Sequence, residues 1–209
     1  MRGSQPAADV AIVGGGIAGA ALATVLARHG VGVVVLEATE TFTDRVRGES
    51  LQPWGVAEAI DLDLLDVLVD AGARTVARWE QHTVDGEPPR EIPVGALLAG
   101  VGGSLNLGHP RACEALLRAA TGAGACVHRG VADLRISLES GGARLTARVG
   151  DADLHLTASL VVGADGRGST VRRQAGIALE KQPAAHHVAG LLIHGLDADH
   201  DVMAEGDDG

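Results

Sequence analysis

The sequence predicts an α/β fold, in which a parallel sheet with helices and a β-meander is joined to part of a second, sheet-containing domain. Three observations carry that expectation. Val10 to Glu37 reads strand, glycine turn, helix, strand and acid in unbroken succession. A strand, helix, strand rhythm returns between Ser104 and Arg129. From Val131 to Ala158, alternating runs are separated by turn glycines, as antiparallel neighbours require.

The first stretch also carries chemistry. Val10–Val13 is a β-branched run suited to a buried parallel strand, and Gly14-Gly15-Gly16-Ile17-Ala18-Gly19 follows it in the G-x-G-x-x-G pattern. Gly14 permits a tight turn, Gly16 lets a pyrophosphate approach the backbone, and Gly19 lets the helix lie close to the sheet. The helix predicted from Ile17 to His29 aims its free N–H groups, those of Ile17 and Ala18 among them, and its positive dipole end at the anion. Gly30 ends it, Gly32–Leu36 is the second strand, and Glu37 stands at the tip, where a carboxylate accepts hydrogen bonds from an adenosine ribose. A glycine fingerprint alone is a weak signal, but these flanks fit a Rossmann-like unit holding an ADP-containing dinucleotide. A carboxylate at Glu37 repels the 2′-phosphate of NADP, which leaves FAD or NAD.

Composition narrows the partners. The 209 residues are 46% hydrophobic, enough for one generous domain or one domain plus part of another. Net charge is −10 and the 17 basic residues form no long cluster, which argues against nucleic acid and anionic membranes. No apolar run approaches the roughly 20 residues that span a bilayer, and the polar N-terminus lacks a leader pattern, so a cytoplasmic location is expected. Cys113 and Cys126 match no C-x-x-C spacing and read as buried free thiols. Phe42, Trp54 and Trp79 are the only aromatic residues, too few for a base-stacking platform.

Beyond Glu37, the charged loop Arg45–Ser50 starts close to the ribose acid. Arg47 there is a candidate to clamp the pyrophosphate or lie along an isoalloxazine ring, the alternative being a solvated loop. Val56, Ile60, Leu64, Leu65 and Leu68 recur at helical spacing and predict one helix from about Gly55 to Asp70, with that face in the core. Arg74–Thr83 alternates, and Pro88, Pro89 and Pro93 interrupt the next stretch, as in strands and turns of a substrate-covering sheet. Ser104–Gly108 is a short strand, Pro110 suits the first turn of a helix running to about Thr121, and Ala125–Arg129 adds a third parallel strand. Val131–Ser140 and Ala143–Val149 form a hairpin over Gly141-Gly142, with Asp153–Ala158 as a third antiparallel strand.

Leu160–Val162 reads as a separate buried strand leading into Gly163-Ala164-Asp165-Gly166 and a helix start that Ser169 or Thr170 caps. Asp165 therefore sits at the carboxyl end of a strand, the edge where open α/β sheets hold ligands. Ala184–Leu196 is strand-like. The acidic end from Asp197 fails as a calcium loop, with Val202 at the sixth position and Asp208 at the twelfth, and reads as a solvated tail. His186, His187, His194 and His200 match no metal-site spacing, so no metal is expected. On this reading, residues 1–72 and 104–180 form the nucleotide domain, and 73–103 and 181–209 an incomplete substrate domain.

Three segments together resemble the FAD-dependent monooxygenases of the aromatic-hydroxylase type, the class A flavoproteins: the glycine fingerprint with Glu37, the Arg47-Gly48-Glu49-Ser50-Leu51-Gln52-Pro53 stretch, and Gly163-Ala164-Asp165-Gly166 with Ser169-Thr170-Val171-Arg172. The resemblance implies FAD as cofactor and NAD(P)H as reductant. It implies that Glu37 binds the adenosine ribose, Arg47 the ribityl or phosphate region, and Asp165 with Gly166 the FAD through a network that also supports reductant binding. Either His109 or Arg111 would occupy the family's flavin-touching place at the start of the helix near Pro110. The family's later Gly-Asp fingerprint has no counterpart before Gly209, so the chain looks like the N-terminal part of such an enzyme, covering most of residues 9–196.

The implied function is hydroxylation or epoxidation of a small aromatic or polyketide-like substrate with NAD(P)H and O2. No side-chain nucleophile is required, and no G-x-S-x-G elbow is present. The competing expectations are a non-catalytic nucleotide-binding fragment, or a halogenase or reductase of the same fold. Lys181, the only lysine, lies outside the context a halogenase needs.

Overall fold

A computed structural model of the chain describes residues 7–44, 50–83, 88–183 and 202–207. In order, the elements are β1 (Ala7–Val13), α1 (Ile17–Arg28), β2 (Val33–Glu37), β3 (Ser50–Leu51), α2 (Pro53–Asp61), α3 (Leu65–Asp70), β4 (Arg74–Val76), β5 (Arg78–Thr83) and β6 (Arg90–Ile92). After a single 3-10 turn at Val94–Ala96 come β7 (Ser104–Asn106), α4 (His109–Gly122), β8 (Cys126–Arg129), β9 (Val131–Glu139), β10 (Gly142–Val149), β11 (Ala152–Gly163), α5 (Thr170–Gln174) and β12 (Val202–Asp207).

The chain divides into two compact units, Met1–Thr43 with Cys113–His187 and Asp44–Ala112 with Val188–Gly209. The sequence drew its line elsewhere, at 72/73 and 103/104. Residues 44–72 and 104–112 group with the smaller unit because β7 pairs antiparallel with both β3 and β4, a non-local register that no local pattern announces.

The larger unit contains one sheet in the order β8-β2-β1-β11-β10-β9. β8, β2, β1 and the end of β11 run parallel, so the third parallel strand stands beside the first two as expected. β11 is one 12-residue strand where the sequence suggested two. Its first part pairs with β10 and its last part with β1, so a single strand belongs to both the meander and the parallel sheet. Because strand side chains alternate, Ala11, Val13 and Leu36 share one face and pack against Ala143, Leu145, Ala147, Leu156 and Ala158 in a common core. Ile12 and Val35, wholly buried, point to the opposite face, which α1 covers. There the Thr24 Oγ1 lies 2.8 Å from the Ala20 carbonyl and 3.0 Å from the Leu116 carbonyl, tying α1 to α4. Alanines at 20, 23 and 27 keep α1 thin enough to lie close to the sheet.

Several local expectations give way. The helix expected over 55–70 is two helices, because Asp63 adopts a left-handed φ of 54° between α2 and α3. Val56, Leu64 and Leu68 are buried, but Ile60 falls on the exposed side of the break. Leu160, expected in a buried strand, is 56% exposed, and Cys126 is exposed while Cys113 is buried. The acidic tail contains β12, which pairs parallel with β5 and so extends the β5-β6 sheet. The strand-like stretch 184–196 lies outside the described residues. Among the described residues, no helix is long and apolar enough to cross a membrane, and no group of three or more His, Cys, Asp or Glu is placed to hold a metal ion.

The free edge of β9 is closed by a side chain. The Gln174 Oε1 accepts the Ile136 N–H at 2.8 Å, and its Nε2 donates to the Leu134 carbonyl at 2.8 Å, so one amide replaces a missing strand. Gln174→Ala should weaken local closure by about 1 kcal/mol, read as roughly fivefold faster amide exchange at Ile136 with β1 amides unchanged. Unaltered exchange at Ile136 would show that the clamp contributes nothing.

Candidate dinucleotide site

The carboxyl ends of β1, β2 and β11 lie side by side, and the backbone stitches them there. The Gly14 N–H donates to the Leu36 carbonyl at 2.9 Å, and the Ala164 N–H donates to the Val13 carbonyl at 2.7 Å. Gly14 has φ +103°, and a Cβ on it would strike the Ala164 carbonyl. A Cβ on Gly19 would strike the Gly14 carbonyl, and one on Gly15 would press on Glu37 and Leu117. Gly16 differs. Nothing lies within 4 Å of the place its Cβ would take. It is also the N-cap of α1 and has no side-chain cap, so the positive end of that helix opens onto free space. Three glycines are thus fixed by packing, and one faces a possible ligand.

Glu37, only 7% exposed, secures this loop. Its Oε2 accepts the Gly15 N–H at 2.5 Å and its Oε1 accepts the Thr39 N–H at 2.7 Å. Each carboxylate oxygen retains acceptor capacity for a ribose hydroxyl. The segment after Glu37 is anchored by Arg129 at the end of β8. Its guanidinium donates to the Glu40 carbonyl at 2.9 Å, grips Glu114 through two bonds of 2.8 Å, and lies 5.2 Å from the centre of the Phe42 ring. Beneath the loop, the Cys113 sulfur is within hydrogen-bond reach of the Ile17 backbone. Burial pushes this thiol up to about 11, with Glu37 and Glu114 adding to the rise and the Ile17 contact and Arg129 opposing it. It therefore stays protonated and acts as a small packing group.

Asp165 organises the second motif. Its Oδ1 accepts the Ser169 hydroxyl at 2.6 Å, and its Oδ2 accepts the Thr170 N–H at 2.5 Å and the Val171 N–H at 3.1 Å. The Ser169 Oγ in turn accepts the Arg172 N–H at 2.9 Å as the cap of α5, the role expected for it. Burial alone would raise the Asp165 carboxyl, but the bonds from Ser169, Val171 and Thr170 outweigh it and hold it below its ordinary value. The carboxylate is thus engaged by its own turn, while the backbone at Ala164 and Asp165 is what packs on Gly14.

Gly14, Gly16, Ile17, Ala18, Gly19, Glu37, Asp165 and Gly166 therefore gather at one edge of the larger unit. His109, half-buried, and Arg111, exposed, open α4 and belong to the smaller unit, where an Arg111 nitrogen stands close to Gly72. Arg47 lies outside the described residues. Sequence reasoning missed Ala164, Cys113, Thr39 and Arg129. Only Ala164 had a local signal, its place inside the Gly-Ala-Asp-Gly segment.

The FAD binding domain family matches residues 7–205. This chain belongs to that family. Its cofactor is FAD, and the open N-terminus of α1 at Gly16, with Glu37 beside it, fits the pyrophosphate and ribose of such a group. Among curated relatives, squalene epoxidase 3 of Arabidopsis thaliana is 47% identical over 68 residues, which cover 32% of this chain and 13% of that protein. Salicylate hydroxylase of Pseudomonas putida is 36% identical over 106 residues, covering 50% of this chain and 24% of that protein. Among solved structures, p-nitrophenol 4-monooxygenase of Pseudomonas putida superposes with a TM-score of 0.73 at 22% identity, covering 82% of this chain and 44% of that one, a likeness of fold. The chain thus spans only a small part of the curated relatives it matches.

Two outcomes test this geometry. Gly19→Ala should destabilise the fold by about 1–3 kcal/mol or more, whereas Gly16→Ala should leave the melting temperature nearly unchanged, because only the first Cβ meets backbone. Equal melting temperatures would refute that division. The Asp165 contribution is present above its ordinary pKa of 3.8 and is lost as pH falls through its lowered folded value. Acid unfolding curves should show a stability loss below about pH 3.8 that Asp165→Asn lacks, and an unchanged acid limb in the variant would count against the bonding described.

Proposed function

We propose that this chain supplies the dinucleotide-binding part of an FAD-dependent monooxygenase that hydroxylates or epoxidises a small organic substrate with NAD(P)H and O2. The observation that carries the reading is the unfilled space at Gly16, set at the uncapped end of α1 and beside Glu37. FAD, when bound, would supply the redox chemistry. The amides at the start of α1 would hold its pyrophosphate, Glu37 the adenosine ribose, and the Asp165 turn the adjoining backbone. Arg47, with His109 or Arg111, is assigned to the flavin side of the cofactor. The named activities of the squalene epoxidase and salicylate hydroxylase relatives support oxygenation. A cytoplasmic location and NAD(P)H as reductant belong to the same reading, as does a role for the smaller unit in the substrate domain.

A second reading, a nucleotide-binding module without turnover, is favoured by one fact, the short span of the chain against the relatives it matches. A visible titration with FAD separates the two. The wild-type chain should saturate with flavin bands, and Gly16→Val should lose affinity by about 100-fold or more without losing its fold, since the side chain fills the pyrophosphate space. Bleaching of the bound flavin by NADPH with oxygen uptake supports the monooxygenase; saturable binding with neither leaves the module. Absence of binding at high FAD refutes both.

A further inference from the structure

The helix pair α2 and α3 carries apolar side chains on its outer surface as well as its inner one. Val56, Ala59, Leu64 and Leu68 are buried and fill the core-facing side. Trp54, 64% exposed, and Ile60, Leu62 and Val69 stay in contact with water. Trp54, Glu58 and Leu62 follow one another at a spacing of four residues, so they form one stripe along α2 and its C-cap, with Asp61 beside it. Asp66, Val69 and Asp70 share a face of α3 in the same way. Single exposed apolar residues are ordinary, but here each stripe sets an apolar group among carboxylates.

The charge is one-sided. Pro53 to Asp70 holds Glu58, Asp61, Asp63, Asp66 and Asp70 and no Lys, Arg or His. Glu58 and Asp61 are three residues apart, and Asp66 and Asp70 four, so like charges face each other along both helices. Glu58, Asp61 and Asp70 also stand at the negative ends of their helix dipoles, and neither helix has a base in its last turn. Among the described residues, Glu58, Asp61, Asp66 and Asp70 have no hydrogen bond or ion pair, whereas Glu91, Glu114, Asp133 and Glu139 each have an arginine partner. The described structure therefore leaves these carboxylates uncompensated, next to apolar groups that it also leaves uncovered.

We propose that the outer face of α2 and α3 is a docking surface for a cationic amphipathic segment of a partner protein, in which Lys or Arg flanks a row of leucine-sized side chains. The apolar row would cover Trp54, Leu62 and Val69, and the cations would meet the carboxylates that have no partner of their own. An exposed tryptophan is the kind of group that anchors such a contact. Charge excludes the other occupants. A second copy would bring the same acids on a chain of net charge −10, and an anionic bilayer would be repelled likewise.

The test uses the full 209-residue chain and a synthetic Leu/Lys peptide patterned as an amphipathic helix. Its controls are a peptide of the same composition with the leucines spread around the helix, and a Leu/Glu peptide of the first pattern. Trp54 and Trp79 are the only tryptophans, so docking is read from tryptophan emission, with calorimetry for affinity. Wild type should bind the patterned Leu/Lys peptide with a blue shift and about tenfold or more tighter than either control. Trp54→Ser should abolish the shift and weaken binding. Asp61→Asn combined with Asp66→Asn and Asp70→Asn should weaken it by about tenfold and flatten its salt dependence, while the melting temperature holds or rises. Asp151→Asn with Asp153→Asn, two exposed acids of the larger unit, should change nothing. Equal affinity for the control peptides, or an unchanged affinity in the triple variant, would overturn the proposal. A lowered melting temperature in the triple variant would do the same, by giving the acids to the fold. So would a dimer in sedimentation that Trp54→Ser dissolves, which would assign the face to a second copy.

Discussion

The contact between Gly14 and the backbone at Ala164 and Asp165 is the constraint on which the larger unit depends. It joins two turns that are distant in the chain but stand at adjacent strand ends, and it leaves no room for a Cβ. Once the Ala164 N–H is fixed on the Val13 carbonyl and the Gly14 N–H on the Leu36 carbonyl, three strands must end level. Level ends place the start of α1, the tip of β2 and the Asp165 turn at one edge. The open start of α1 at that edge is a consequence of the alignment.

The chemistry of this edge is economical in charge. The chain carries a net charge of −10, and Arg129 at this edge is committed to Glu114 and to the Glu40 carbonyl. The oriented amides at the start of α1 can attract an anion without formal charge or counter-ion. The two acids at the edge serve the same end. Glu37 and Asp165 take backbone N–H groups from Gly15 and Thr39, and from Thr170 and Val171, and so hold the turns in place before any ligand arrives. Preorganisation of this kind reduces what binding must spend on ordering the loop.

Legibility in the sequence depends on the distance over which each feature is specified. The glycine spacing, the acid after the second strand, the Ser169 cap and the meander are written in a few adjacent residues, and the structure shows them. The break at Asp63 was hidden because Val56, Leu64 and Leu68 keep helical spacing across it, so periodicity passed over a single left-handed residue. β12 was missed for the opposite reason. Its strand character comes from pairing with β5, far away in sequence, while its own composition is that of a solvated acidic run. The same long-range pairing, of β7 with β3 and β4, drew residues 44–72 into the smaller unit.

The two units differ in how completely their polar atoms are matched, and that difference bears on how such a protein divides its work. In the larger unit, Thr24, Glu37 and Asp165 all have partners, and the glycines that pack inward permit no side chain, so the geometry offered to a dinucleotide is set by the fold itself. A cofactor of fixed shape is well served by such rigidity. In the smaller unit, Ser104 and Asn106 on β7 and Gln52 just after β3 each carry a buried oxygen without a hydrogen-bond partner, so the polar atoms there are less completely matched.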